Sequence, residues 1–365
     1  MNMSVEEFIK EYMLECPQIL SEPTYLSTLK SAIRTKYYFD PTLEDIVLED
    51  ILQKMGKLRS EVSISYPSVV RDGHLYYLKN IYQPEQKTPE WYTFRHDHIT
   101  ASNAWKALGT TASKNQLIYE KCQPLNTEKY KPSLSETPMS WGNKYEYLTT
   151  CIYEEKNKTT ISSFGCIAHP EHSFLAASPD GIVTGETNYG RMIEIKNVVS
   201  REITGVPKKD YYIQMQLQME VCDLDECDFV ETKFIEFDTE AEYIKEDVSK
   251  KGVIVVFINT DNEFVYKYMP FNVTDYDAWI DNTLADTVIT MKWFKNIYWK
   301  LEVYSCVLVK RQREWFQSVI HEFISTWEII KSERINGEFI HRAPKKRILK
   351  NENKNELKHE LLIDM

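Results

Sequence analysis

Asp180 stands between a proline and a glycine, and fourteen residues later Glu194 and Lys196 flank Ile195. The full stretch, Ser178 to Lys196, reads SPDGIVTGETNYGRMIEIK. In a strand successive side chains point to opposite faces, so Glu194 and Lys196 share a face and Ile195 takes the other. The apolar residues of FLAAS and GIV read as a second strand, broken at the Pro-Asp-Gly turn. If the two strands are neighbours, two carboxylates and an ammonium converge on one point. Hard oxygen ligands suit Mg2+ or Mn2+, and a lysine beside them can orient or help deprotonate a water. That outlines a phosphodiesterase centre. The same residues also describe an ordinary SPDG turn and an exposed Glu-x-Lys pair.

The elements around this stretch follow from periodicity. Residues 1–60 read as helices, VEEFIKEYMLE and LEDIVLEDILQKM, with apolar residues three and four apart. A proline-punctuated connector follows, with a hairpin expected around Asp72-Gly73. WYTFRHDHITASNAWKALG opens as a short helix, and its Thr-Ala-Ser can cap another starting near Asn103. Residues 139–157 form a helix with Glu146 in its middle. SSFGCIAHP, HSFLAAS, GIV and MIEIK are strands, KKDYYIQMQLQMEVC a helix, and CDFVETKFIEF, VIVVFIN and EFVYKYM further strands. DAWIDNTLADTVITMKWFKNIYW and KRQREWFQSVIHEFISTWEII read as long helices with aromatic stripes. The order predicts an α/β fold, a mixed sheet covered by helices. The expected organisation is a helical extension and connector over 1–85, a catalytic domain over 86–305, a C-terminal helix over 306–332 and a polar, partly disordered tail over 333–365.

A hydrophobic content of 42% with 23 tyrosines is ample for a packed core. The acidic N-terminus lacks the pattern of a secretory signal, and the most apolar run, VIVVFI, is too short to span a bilayer. The seven scattered cysteines form no Cys-x-x-Cys pair, so neither a disulfide framework nor a zinc site is indicated. These features predict a soluble intracellular protein, in host cytoplasm or nucleus if it is viral. A net charge of −11 argues against coating polyanions generally but leaves a nucleic-acid enzyme open, since charge along the substrate path decides.

Four features now line up: Trp91-x3-Arg95-x4-Thr100-Ala-Ser102, Trp141-Gly-x-x-Tyr145-Glu146, SPDG with Glu-x-Lys, and Tyr211-x-x-Gln214-x-Gln216-x-x-Met219. In this order and spacing the chain resembles the phage lambda exonuclease and YqaJ-type viral recombinase family, a branch of the PD-(D/E)xK nucleases, over about residues 90–235. The resemblance implies an exonuclease that digests one strand of linear duplex DNA from a 5′ end with Mg2+ or Mn2+, in recombination, replication or repair, and feeds single strands to an annealing partner. It implies Asp180, Glu194 and the Ile195 backbone carbonyl as metal ligands, with Lys196 positioning the attacking water. Glu146 would complete the metal site or hold a second ion, and Gln214 and Tyr211 match the family's Tyr-x-x-Gln motif. Arg95 and Ser102 match the positions that receive the terminal 5′-phosphate. Arg201 is expected to join them, although Asn197-Val198 stands where the phage enzyme has Cys-Pro. Relatives can form rings around DNA, so a homo-oligomer is among the expectations.

Independently of any family, Tyr211, Gln214 and Gln218 share one helical face, whereas Gln216 falls on nearly the opposite one. Two other readings compete: a PD-(D/E)xK endonuclease or repair nuclease that cuts internally, and a non-catalytic DNA-end or assembly protein on a nuclease fold. The complete set of Glu146, Asp180, Glu194 and Lys196 argues against the last.

Overall fold

The computed structural model describes residues 4–15, 25–37, 72–126, 137–248, 250–287 and 290–344. Helices α1 (Val5–Glu15) and α2 (Tyr25–Lys36) pack on one another through Phe8 and Tyr37, whose ring centroids lie 5.6 Å apart. The helix expected over LEDIVLEDILQKM lies outside the described residues. Where a hairpin was expected at Asp72-Gly73, α3 (Asp72–Asn80) begins instead. The Asp-Gly pair stands at the helix start, where a short polar side chain and a glycine are also favoured. Leu75 and Leu78 of α3 are buried in the main core, so this helix packs with the elements beyond the boundary expected at 85.

Two short helices follow, α4 (Pro89–His96) and α5 (Ala101–Ala107), separated by β1 (Ile99–Thr100). Pro89 occupies the first turn of α4, and Thr88 caps it by accepting the Trp91 amide at 3.2 Å. Thr100 precedes α5, and its amide donates to Asn103 Oδ1 at 3.0 Å. After α6 (Thr111–Cys122) comes α7 (Pro138–Asn157), opened by a Thr137–Ser140 capping box and closed by Lys158 in the left-handed region.

The strands form two sheets. β4 (Leu175–Ala177) pairs in parallel with β1 and antiparallel with β3 (Ile167–Ala168). The larger sheet adds β2 (Ile161–Ser162), β5 (Gly181–Val183), β6 (Met192–Asn197), β7 (Glu226–Glu236), β8 (Lys251–Ile258), β9 (Phe264–Tyr268) and β10 (Lys292–Lys310), in the order β2-β5-β6-β7-β10-β8-β9. Among the described residues only β6 and β7 run parallel in it, joined by α8 (Lys209–Cys222) as a crossover. The remaining elements are α9 (Glu240–Lys245), α10 (Tyr276–Thr287) and α11 (Arg313–Asn336).

Two sequence expectations fail here. FLAAS and GIV are not one broken strand: the Pro-Asp-Gly turn moves the chain from the small sheet to the large one, leaving Asp180 at the junction. The helix expected through MKWFKNIYW ends at Thr287, and from Lys292 the chain is β10, a strand of 19 residues. β10 pairs with β8 through its first half and with β7 through its second, so it lies inside the sheet rather than at its edge. The boundary expected at 305/306 therefore falls inside this strand. At the other end α11 runs to Asn336 and a 3-10 turn covers Glu338–Arg342, where a polar tail was expected from 333.

One face of the large sheet is covered by α8, α5, α6 and α11, with Phe229, Met215, Leu217 and Phe316 in the core. The other is covered by α7, whose Tyr145 stacks on Phe234 at 4.4 Å beside the buried Trp299. Among the described residues no helix is long and apolar enough to cross a membrane.

Candidate active site

β5 and β6 are antiparallel neighbours, with Gly181 opposite Ile193. The residue before β5, Asp180, is thereby held beside Ile195, whose amide donates to Asp180 Oδ2 at 2.7 Å. Glu194 is fully buried, and both its oxygens are engaged. Oε1 accepts from Lys196 Nζ and from Gln214 Nε2 at 2.7 Å, and Oε2 accepts from Gln218 Nε2 at 2.7 Å. The convergence expected from the sequence, two carboxylates and an ammonium, is present.

α8 supplies the polar support. Gln214 and Gln218 both reach Glu194, and Gln218 Nε2 also lies 3.3 Å from Ser178 O, tying the helix to the SPDG turn. Tyr211, on the same face, lies under Lys196, with Nζ 4.9 Å from the ring centroid. Gln216 points the other way and bonds Lys310 O and the Gln312 amide. Gln218 carried no motif signal beyond its place on the helical face.

Glu146 stands across the cleft on α7, where Lys87 approaches it at 3.8 Å. α7 is fastened beside the site by Asn197, whose side-chain oxygen accepts from Thr149 and Thr232, both at 2.7 Å, and whose Nδ2 donates to Gly142 O. The residue that departs from the phage pattern thus locks the Glu146 helix to β6 and β7. Its spacing in the sequence gives no hint of that.

Arg95 and Ser102 meet: Arg95 Nη2 donates to Ser102 Oγ at 2.8 Å, and the guanidinium lies 4.2 Å above the Trp91 ring. Trp91 Nε1 donates to Ser178 Oγ at 3.0 Å, so α4 spans from Arg95 to the turn that carries Asp180. Arg201 is engaged differently. It ion-pairs with the buried Glu231 and lies 5.8 Å from the Tyr211 ring, at the edge of the same cleft. Arg95, Ser102, Glu146, Asp180, Glu194, Lys196, Arg201, Tyr211, Gln214 and Gln218 line one open cleft of about 650 Å³, together with Gln86 and Lys87. Gln86 is anchored to Phe164 O and Pro179 O, at 2.9 and 3.1 Å.

Burial, and then the neighbouring Glu194, push the Asp180 carboxyl well above the usual carboxylate range, against the pull of Lys196. Burial opposes the charge of Lys196, but Glu194 and Asp180 outweigh it and raise its pKa above that of an ordinary lysine. Crowded, desolvated carboxylates of this kind favour a cation beside them, and the Lys196 ammonium rests on Glu194. Two carboxylates and the Ile195 carbonyl fit Mg2+, which keeps several waters in its shell. Among the described residues no three His, Cys, Asp or Glu side chains gather closely enough to hold a metal ion, so Glu146 is not part of a ready-made cage.

Residues 90–225 match the family model of the YqaJ-like viral recombinase domain. An uncharacterised protein of Acanthamoeba polyphaga mimivirus is 25% identical, over 79% of this chain and 60% of its own length. The chain thus spans less than two thirds of that relative. Among solved structures, an alkaline exonuclease from Laribacter hongkongensis matches with a TM-score of 0.42 and 19% identity, over 70% of this chain and 98% of its own. A phage-related exonuclease from Haemophilus somnus matches with a TM-score of 0.37 and 14% identity, over 67% and 99%. The YqaJ-like domain holds every expected site residue, from Arg95 to Gln214. Lys87, β7 to β10 and α11 lie outside it.

Proposed function

We propose that this chain is a divalent-metal-dependent deoxyribonuclease that digests one strand of linear duplex DNA from a 5′ end. The observation that carries this reading is the meeting of Asp180, Glu194 and Lys196 in one cleft with the Arg95–Ser102 pair. The YqaJ-like domain and the viral relative support it. A role in viral recombination, replication or repair, with a single-strand annealing partner and a ring-type homo-oligomer, belongs to the same proposal.

In this reading Asp180, Glu194 and the Ile195 carbonyl would hold Mg2+ or Mn2+, and Glu146 would assist across the cleft or hold a second ion. A divalent ion held by these residues would supply Lewis-acid polarisation of a phosphate oxygen and a more acidic water. Gln214 and Gln218 hold the Glu194 carboxylate in one orientation, so little reorganisation is needed as charge develops. Lys196, kept as an ammonium by Glu194, donates through Nζ to the attacking water or the phosphate, and Tyr211 supports its side chain. Arg95 and Ser102 offer a planar guanidinium and a hydroxyl to a terminal phosphate monoester. Arg201, already paired with Glu231, contributes charge at the edge rather than a free fork. End and backbone contacts carry no base information, so no sequence preference is expected.

The test is digestion with Mg2+ of three duplexes: 5′-phosphorylated linear, 5′-hydroxyl linear and covalently closed circular. The expected order is fast, slow and none. Equal digestion of all three contradicts the reading, and cleavage of the circle favours an internally cutting endonuclease.

A further inference from the structure

We infer that Arg334, acting with Lys121, is a positioning residue for the terminal-phosphate receptor: from outside the YqaJ-like domain it clamps the end of α4 and so fixes where the Arg95 guanidinium sits. The inference rests on the reading that Arg95 and Ser102 receive the 5′-phosphate.

α4 has only eight residues, and the last carbonyls of a helix have no partner within it. Here two basic side chains take them. Lys121 Nζ donates to Arg95 O at 2.5 Å, and Arg334 Nη2 donates to His96 O at 3.0 Å. Arg334 Nε also donates to Lys121 O at 2.9 Å, and Nη1 pairs with Asp97 at 3.3 Å. One guanidinium therefore joins α4, α6 and α11. Its planar fork makes this possible, whereas a lysine presents a single point charge. A guanidinium at a helix C-terminus also complements its dipole.

The clamp is itself held in place. Arg334 lies 5.5 Å from the Trp327 ring, and Trp327 stacks on Phe174 at 5.8 Å. Phe174 O accepts the Ile99 amide at 2.8 Å, so the turn between α4 and β1 is gripped on both sides. Arg334 does not line the cleft and is placed to reach the receptor only through α4. Ser102 sits on α5, which has its own cap at Thr100 and Asn103. Releasing the clamp frees the last turn of α4 and lets Arg95 drift from a Ser102 that stays where it is.

The experiment compares wild type, Arg95→Gln and Arg334→Gln on 5′-phosphorylated and 5′-hydroxyl linear duplex with Mg2+, separating kcat from KM. Thermal unfolding reports the fold of each variant. The expected result for Arg334→Gln is a preference for the phosphorylated end lowered about tenfold, chiefly through KM, with the rate on the 5′-hydroxyl end nearly unchanged. If Arg334→Gln does not fold, Arg334→Lys is read by the same criteria. A purely structural role would lower both rates together, and that outcome overturns the inference. So does an unchanged preference in Arg334→Gln when Arg95→Gln has lost it, in which case the reading of Arg95 survives. A wild type with no preference, matched by Arg95→Gln, overturns both.

Discussion

Lys121 combines burial, at 6% exposure, with two cationic neighbours beneath the cleft. Burial first, then Arg95 and Arg334, lower its pKa to about 7 from the 10.5 of an ordinary lysine. Between those values the unfolded chain binds a proton that the folded chain does not, so the contribution of Lys121 to stability rises with pH across that window and is lowest below about 7. The stability of the wild type relative to Lys121→Met should therefore increase between about pH 7 and pH 10, by on the order of 3 kcal/mol in urea unfolding. A flat difference would mean that the amine stays charged in the fold. At this scale the convergence of Asp180, Glu194 and Lys196 was readable, because Asp-Gly after proline and Glu-x-Lys in a strand have fixed local geometry. Lys121, Arg334 and Asn197 were not, because their partners are distant in sequence and nothing in their spacing announces them.

β10 shows what element-scale reading misses. Its aromatic stripe fits a helix as well as a strand, and only pairing with β7 on one side and β8 on the other decides between them. The helices were legible where polar and apolar residues alternate at helical spacing, as over residues 139–157, which α7 (Pro138–Asn157) covers. The most constrained point of β10 is Trp299, fully buried and opposite Gly252 on β8. A Cβ at 252 would lie 2.9 Å from the Trp299 ring. Gly252→Ala should therefore destabilise the protein by about 1–3 kcal/mol, through overpacking against a ring that has nowhere to move. An unfolding midpoint equal to that of the wild type would show that the ring can give way. Because β10 adjoins β7, and β7 runs beside the strand carrying Glu194, the same change should slow digestion only as far as it unfolds the sheet.

The whole molecule is an α/β body in which a YqaJ-like segment supplies the cleft, and later elements, β7 to β10 and α11, complete its sheet and brace its rim. The sequence resemblance reached the segment and its site order. It did not reach the brace, since α11 meets α4 only in three dimensions. A net charge of −11 is compatible with a DNA substrate because Lys87, Arg95, Lys196 and Arg201 are gathered at one cleft. We propose that Asp180 and Glu194 form a metal-dependent cleavage centre. Its most direct measurement is the Mg2+-dependent digestion rate of 5′-phosphorylated linear duplex by wild type and Asp180→Asn, with circular dichroism confirming both folds. The account predicts a loss of about a thousandfold, the scale of removing a group that stabilises the transition state. Equal rates in the two proteins would contradict it.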